Sequence, residues 1–363
     1  MKEPPDKAGL NHAVRVTVAA LSIVLGLGTA VPAAAQCPGD VTANGVVDGA
    51  DLGAMLTVWG TQGGPADVNG DGIVDGADLG ALLVNWGPCS QGAVRAWGDN
   101  YYGQCNIPAD LGPCIAVAGG YLYTVALRTD GIVRAWGNNS YGQCNIPADL
   151  GPCIAIAGGG YHTVALRTDG AVRAWGYNLY GQCNIPADLG PCSAIAGGGV
   201  HTVALRTDGI VRAWGWDFHG QCNIPADLGP CTAIAGGVFH TVALRTDGIV
   251  RAWGRNSEGQ CNIPADLGPC SAIAGGGYHT VALRTDGSVR AWGYNGFGQC
   301  TIPADIGPCI AVAGGFYHTV ALRTDGTVRA WGRNSEGECI IPADLGPCTA
   351  VVGGYYHTVA ITK

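Results

Sequence analysis

A tryptophan in the run R-A-W-G stands at positions 97, 136, 175, 214, 253, 292 and 331, always 39 residues from the next. A strict period of this length restricts the chain to architectures in which one supersecondary unit buries its faces against copies of itself. Tyr161 to Gly181, YHTVALRTDGAVRAWGYNLYG, represents the unit. Two alternating runs, residues 163–166 and 172–175, flank Asp169-Gly170, the turn dipeptide of a β-hairpin. Each repeat continues through a variable loop, GQCNIPADLGPC and an AxAGG run before the next hairpin.

The reading is four strands per repeat: residues 154–157, 163–166, 172–175 and a short one near 182–185. That pattern implies a mainly all-β chain, with each repeat a blade of a seven-bladed β-propeller spanning residues 90–363. The array opens on a third strand, residues 94–97, and finishes on a second, residues 358–361. The seventh blade must therefore form from the two ends, which removes the exposed sheet edges of an open array. Arg173 and Trp175 share a strand face, suggesting a guanidinium stacked on an indole. Gly (61) and Pro (20) are abundant but sit at fixed phases of the repeat, so they mark turns and not disorder.

Residues 1–35 read as a secretory signal peptide: Lys2, Lys7 and Arg15 precede an apolar run to about Val31 and an A-x-A site before Gln36. Export fits sixteen cysteines, each of which has a partner at a regular interval. The expected disulfides are Cys37/Cys89, Cys105/Cys114, Cys144/Cys153, Cys183/Cys192, Cys222/Cys231, Cys261/Cys270, Cys300/Cys309 and Cys339/Cys348. The formal net charge of −8 is uneven, since residues 37–89 hold seven Asp and no base. The nearly neutral array lacks a basic stripe for phosphate backbones, which argues against nucleic acid.

The seven Asp fall into two loops 27 residues apart. The second places Asp67, Asn69, Asp71, Asp75 and Asp78 at positions 1, 3, 5, 9 and 12, with Gly72 at the turn and the Ile73 carbonyl at position 7. That spacing wraps oxygen ligands around calcium. The first loop offers Asp40, Thr42, Asn44, the Val46 carbonyl, Asp48 and Asp51, with more neutral donors and hence weaker binding. Short apolar helices are expected at 52–59 and 79–86. The pair resembles a type I dockerin, whose members plug into cohesin-type proteins. The resemblance implies a calcium-folded attachment module at 37–89, although Gly49-Ala50 and Gly76-Ala77 replace the frequent Ser-Thr pair at the partner-choosing positions.

The pattern AGG-xx-H-T-x-A-L-x-x-D-G-x-V-x-x-W-G-x-N-xx-GQ resembles the regulator of chromosome condensation repeat. Members of that family form seven-bladed propellers with unrelated functions, so the fold leaves function open. His162, His201, His240, His279, His318 and His357 recur once per repeat, with Tyr123 at the first. Catalysis needs a unique constellation and repetition supplies none, so these imidazoles are expected to bond a neighbouring blade's backbone. The chain is read as no enzyme.

Variation between repeats concentrates in two loop sets that emerge on one face. It holds Tyr101, Tyr102, Tyr121, Tyr141, Tyr161, Tyr177, Tyr180, Trp216, Phe218, Phe239, Tyr278, Tyr294, Phe297, Phe316, Tyr317, Tyr355 and Tyr356, with Arg255 and Arg333. Such side chains anchor protein interfaces, and aromatics also stack on sugars. The expectation is a secreted binding scaffold for a protein or carbohydrate ligand. The alternative is a dockerin-bearing extracellular enzyme acting on polysaccharide.

Overall fold

The computed structural model describes residues 41–42, 46–47, 49–68, 71–84, 87–88 and 92–363. The leader at 1–35, Cys37, Cys89, Asp40, Asn44, Asp48 and Asn69 lie outside the described residues.

In the representative repeat, inner strand Cys153–Gly158, middle strand His162–Arg167 and outer strand Val172–Gly176 pair antiparallel. Gly170 sits at φ +81° and donates to Arg167 O, while Asp169 Oδ1 accepts the Ala171 amide. This is a turn that needs glycine at its last position, and the aspartate fixes its approach. The expected fourth strand is absent. Residues 182–185 run as turn and coil, because Asn178 and Gln182 side chains take the loop amides of Cys183 and Tyr180 that a strand ladder would use. Pro186 then ends the segment without an amide to donate.

Seven such three-stranded sheets form. Six are continuous in sequence; the seventh joins Cys348–Gly353 and His357–Thr362 to Val94–Gly98, with His357 opposite Gly98 and Ile361 opposite Val94. The middle strand is buried throughout instead of alternately, since a sheet lies on either side of it. Val164 and Leu166 pack with Ala204 and Ile195 of the next repeat, whereas the small Ala165 receives Val125 and Leu127 of the previous one. Large-into-small packing of this kind fills the space between sheets without strain. Where inner strands converge, a Cβ on Gly158 would lie 2.7 Å from Gly119 O, so only glycine fits.

Polar links join each repeat to its neighbour. Arg173 Nη2 donates to both carboxylate oxygens of Asp149 at 2.9 Å, instead of stacking on an indole. Trp175 Nε1 donates to Gln143 O at 3.0 Å. The series ends with Arg95 on Asp344 and Trp97 on Glu338 O, again across the two chain ends.

The seven expected repeat disulfides are not formed. Cys105, Cys114, Cys144, Cys153, Cys183, Cys192, Cys222, Cys231, Cys261, Cys270, Cys300, Cys309, Cys339 and Cys348 are free thiols. The members of a pair turn to different carbonyls: Cys144 Sγ donates to Asn138 O at 3.3 Å and Cys153 Sγ to Gly151 O at 3.5 Å. Burial pushes their pKa values up to about 12 and about 11, which suppresses the thiolate.

The acidic module contains helices Gly49–Thr57 and Gly76–Val84, both starting three residues before the expected position, and the two-residue pair Val46–Val47 with Gly87–Pro88. Val47, Met55, Ala66, Val74 and Leu82 form its small core.

Candidate binding face and candidate metal centre

The face rests on a belt of histidines. His162 Nε2 meets Thr202 Oγ1 at 2.9 Å, and that hydroxyl donates to Gln182 O at 2.8 Å. A threonine has one hydroxyl proton, so the imidazole must carry its own on Nε2. His201, His240, His279, His318 and His357 repeat the link, the last reaching Thr124 in the first repeat. Tyr123 completes the circle by donating to His162 O. The partner is thus a threonine hydroxyl and not the expected backbone group. Burial lowers these histidines to a pKa of about 3 or 4, so they stay neutral.

Above the belt, one residue from each repeat surrounds the axis: Tyr121, Gly160, Gly199, Val238, Gly277, Phe316 and Tyr355. Their amides donate from repeat to repeat, from Tyr121 N to Gly160 O at 3.0 Å round to Tyr355 N, which returns to Gly120 O at 3.3 Å. Three bulky aromatics are matched by three glycines. A Cβ on Gly160 would lie 2.4 Å from Gly199 O and 3.2 Å from the Tyr355 hydroxyl, and one on Gly277 would lie 2.4 Å from Phe316 O and 2.9 Å from its Cδ2, so backbone as well as rings excludes a side chain there. Beneath lies a cavity of about 140 Å³, partly open to solvent and lined by the inner strands of all seven sheets.

The two variable loops of each hairpin are tied by a backbone bond, such as Tyr177 N to Tyr161 O at 2.9 Å. Side chains then form a continuous circle of ring contacts: Tyr121, Tyr161, Tyr177, Tyr180, Trp216, Phe239, Tyr278, Phe316, Tyr355 and back to Tyr121. Tyr141, Phe218, Tyr317 and Tyr356 attach to it directly, and Tyr294 and Phe297 through Tyr317. Tyr101 and Tyr102 touch each other, at 4.9 Å, and stand outside the circle. Burial and the neighbouring Tyr121 and Tyr141 push Tyr161 up to about 12.

Arginines enter the same layer. The Arg255 guanidinium lies 4.9 Å from the Tyr278 ring centre and 5.8 Å from that of Phe239, and Arg333 lies 4.5 Å from that of Tyr356. Their loops share the sequence RNSEG, but the following residue is Gln260 in one and Glu338 in the other. Fully buried Glu338 holds Arg333 at 3.2 Å, and Arg333 also reaches Glu336. Arg255 has only the longer pair with Glu258, at 4.0 Å, and a bond to Ser257. Sequence reasoning missed His219, which packs on Trp216 and Phe239, and the axial matching of residues. Stacking the repeats in register exposes the latter as a column reading Y-G-G-V-G-F-Y.

In the acidic module, carboxylate oxygens of Asp67, Asp71 and Asp78 lie within 4.8 Å of one another. Gly72, at φ +96°, donates its amide to Asp67 Oδ2 at 3.0 Å, which folds the loop back on itself. Asp78 is fully buried and accepts the Asp75 amide, while Asp75 Oδ1 turns to Ala77 N and the Ile73 amide bonds Asp71. The first loop repeats one feature: Thr42 N and Oγ1 both donate to buried Asp51. Three hard anionic donors converging on one point suit a divalent cation such as calcium.

The regulator of chromosome condensation (RCC1) repeat family matches residues 114–143, 153–182, 192–221, 231–260, 270–299 and 309–338. A contiguous repeat is seen six times because the seventh is divided between the chain ends. No curated protein matches the sequence. Among solved structures the chain resembles human WBSCR16 at 19% identity and TM-score 0.63, covering 74% of this chain and 99% of that one. Prp20p of Saccharomyces cerevisiae, described with its binding to Gsp1p and histones, is 19% identical at TM-score 0.65, covering 74% and 91%. The ectodomain of the Arabidopsis thaliana receptor kinase ACR4 is 20% identical at TM-score 0.58, covering 69% and 93%. At these identities the likeness concerns the fold. Residues 114–338 are therefore an array of regulator of chromosome condensation repeats, folded as those proteins fold.

Proposed function

We propose that the array closes as a seven-bladed propeller and serves an exported protein as a non-catalytic protein-interaction scaffold. The observation that carries this reading is the circle of aromatic side chains confined to the one loop face whose sequence varies. Large aromatics kept at tolerant turn positions invite aggregation unless they are covered by a partner. The named activity of Prp20p, binding to other proteins, is of the same class. Glu336, which recurs as Glu258, and the unrepeated Glu338 are both spent on Arg333, and Glu338 is sealed from solvent, which supports a loop-shaping role over acid–base work.

The acidic module is proposed as a calcium-folded attachment unit, in the manner of a dockerin with a cohesin-type partner. Asp67, Asp71 and Asp78, with Asn69, Asp75 and the Ile73 carbonyl, would hold the stronger ion, and Asp40, Thr42, Asn44, Val46, Asp48 and Asp51 the weaker. Neutralising clustered carboxylates in so small a core links binding to folding.

A photo-crosslinking amino acid at Tyr180, compared with one at Ala148 on the opposite loops, tests the scaffold in the producing cells' medium. A defined protein adduct at 180 and none at 148 is expected; adducts at 148 alone would refute the assignment of the face. Calcium titration of the full chain by calorimetry should give two classes of site, with Asp78→Ala removing the tighter.

A further inference from the structure

We infer that docking is confined to four neighbouring loops of that face, residues 99–104, 138–143, 177–182 and 216–221, and that the partner is a protein patch with an apolar centre and a basic rim. The inference rests on the scaffold reading above. The tips of these loops expose Tyr101 (84%), Tyr141 (50%), Leu179 (72%) and Phe218 (79%). Ring contacts run unbroken from Tyr141 through Tyr177, Tyr180 and Trp216 to Phe218, so three of the four loops are pre-packed and lose little freedom on binding. Elsewhere on the face, the tip Gly296-Phe297 stands alone, its ring 47% exposed and packed on Tyr317, and the tips on either side of it are Ser257-Glu258 and Ser335-Glu336, whose acids bind the stacked arginines of their own loops. Those loops are internally satisfied and border the crest.

Two observations fix the partner's chemistry. First, the Asn and Gln side chains of the crest turn back on their own loops. Asn100, Asn139 and Asn178 each accept an amide five residues on and donate to a side chain six residues on. Gln104, Gln143, Gln182 and Gln221 each accept the amide two residues before them. Sugar recognition needs hydrogen-bonding side chains beside the stacking rings; here the amide oxygens are occupied and the unbonded Nε2 groups of Gln104, Gln182 and Gln221 are buried, whereas an apolar protein patch needs none. Second, the four loops contain Asp99 and Asp217 and no Lys or Arg, while the bordering Glu258 and Glu336 are neutralised by Arg255 and Arg333. Complementarity then favours Lys or Arg around the partner's apolar centre.

Random peptides displayed on phage, selected on the full chain in calcium, supply the probe. The expected winners combine aromatic or branched apolar residues with Lys or Arg. Their affinity should fall at least about tenfold in a Tyr141→Ser, Tyr180→Ser, Phe218→Ser variant, a loss of about 1.4 kcal/mol. Binding should be unchanged in Arg255→Ala, and in an Ile132→Ser, Ile210→Ser, Ile249→Ser control that removes exposed residues of the opposite loops. Loss on Arg255→Ala with the crest variant unaffected would overturn the crest while leaving the scaffold face intact. Loss only in the isoleucine control would sink both. Selection of no peptide, with neutral oligosaccharides from a glycan array bound through the crest, would overturn the partner's class.

Discussion

The two ends of each hairpin are built from the same strands yet follow opposite rules. At the RTDG and IPADLGP end, side chains are nearly invariant and hold one another across repeats, as Arg173 does with Asp149. At the other end, Asn and Gln fix the loop path while residues such as Tyr177, Leu179 and Tyr180 change from repeat to repeat. Sequence constancy therefore marks where the backbone is shaped, and variation marks where shape has already been secured by a few caps. The contrast gives the first end to assembly and leaves the second free for the recognition proposed above.

The largest break expected is by acid, because it strikes the belt under the variable face at all six histidines. Their folded pKa values are depressed below the unfolded 6.5, so their stabilisation is complete above pH 6.5 and is lost as pH falls toward 4. Lowering from 6.5 to about 4 or about 3 amounts to roughly 3–5 kcal/mol for each group, and the six act on one fold without simply adding. The carboxylate of Asp149, lowered by Arg173, titrates below this window. Thermal melts from pH 7 to 4 should show a steep fall that His240→Gln makes shallower; a flat profile would refute the neutral belt.

Gly236→Ala comes next. Its Cβ would lie 2.7 Å from Gly197 O, where both neighbours are backbone, and a loss of about 3 kcal/mol is expected in urea melts. The cap tests the variable end: Gln182→Leu leaves the Tyr180 amide without its acceptor and should cost about 1–2 kcal/mol. Smallest of all, Tyr141→Ser with Phe218→Ser should leave the melting temperature unchanged, since both rings are exposed. Trp216→Ala would not serve here, because Trp216 is packed by Tyr180, Phe239 and His219 and its loss would disturb the loops. A clear drop with the two serines would erase the distinction between ends.

The period, the D-G turns and the incomplete units at each end made the hairpins, the two faces and the pairing of residues 94–98 with 357–362 legible in sequence. Three features were not. A short strand at 182–185 was expected to complete each repeat, but the Asn178 side chain takes the Cys183 amide first. His162 was assigned to backbone because its neighbour in space, Thr202, is 40 residues away and reads as an ordinary strand residue. Regular cysteine spacing gave loop lengths but no direction, and the two sulfurs of a pair turn to different carbonyls. Side-chain direction is set by tertiary packing, which periodicity does not encode.

The sheet that unites the two ends of the array also defines how the molecule bears load. Tension applied between residue 92 and residue 362 acts on a single strand pair, Val94–Gly98 against His357–Thr362, and every other sheet is shielded until that pair parts. The acidic module precedes residue 92 in the chain, so a pull exerted through it arrives at this seam. If that module is the attachment unit proposed above, load enters at this seam, and its rupture would leave six sheets whose strands are each contiguous in the chain.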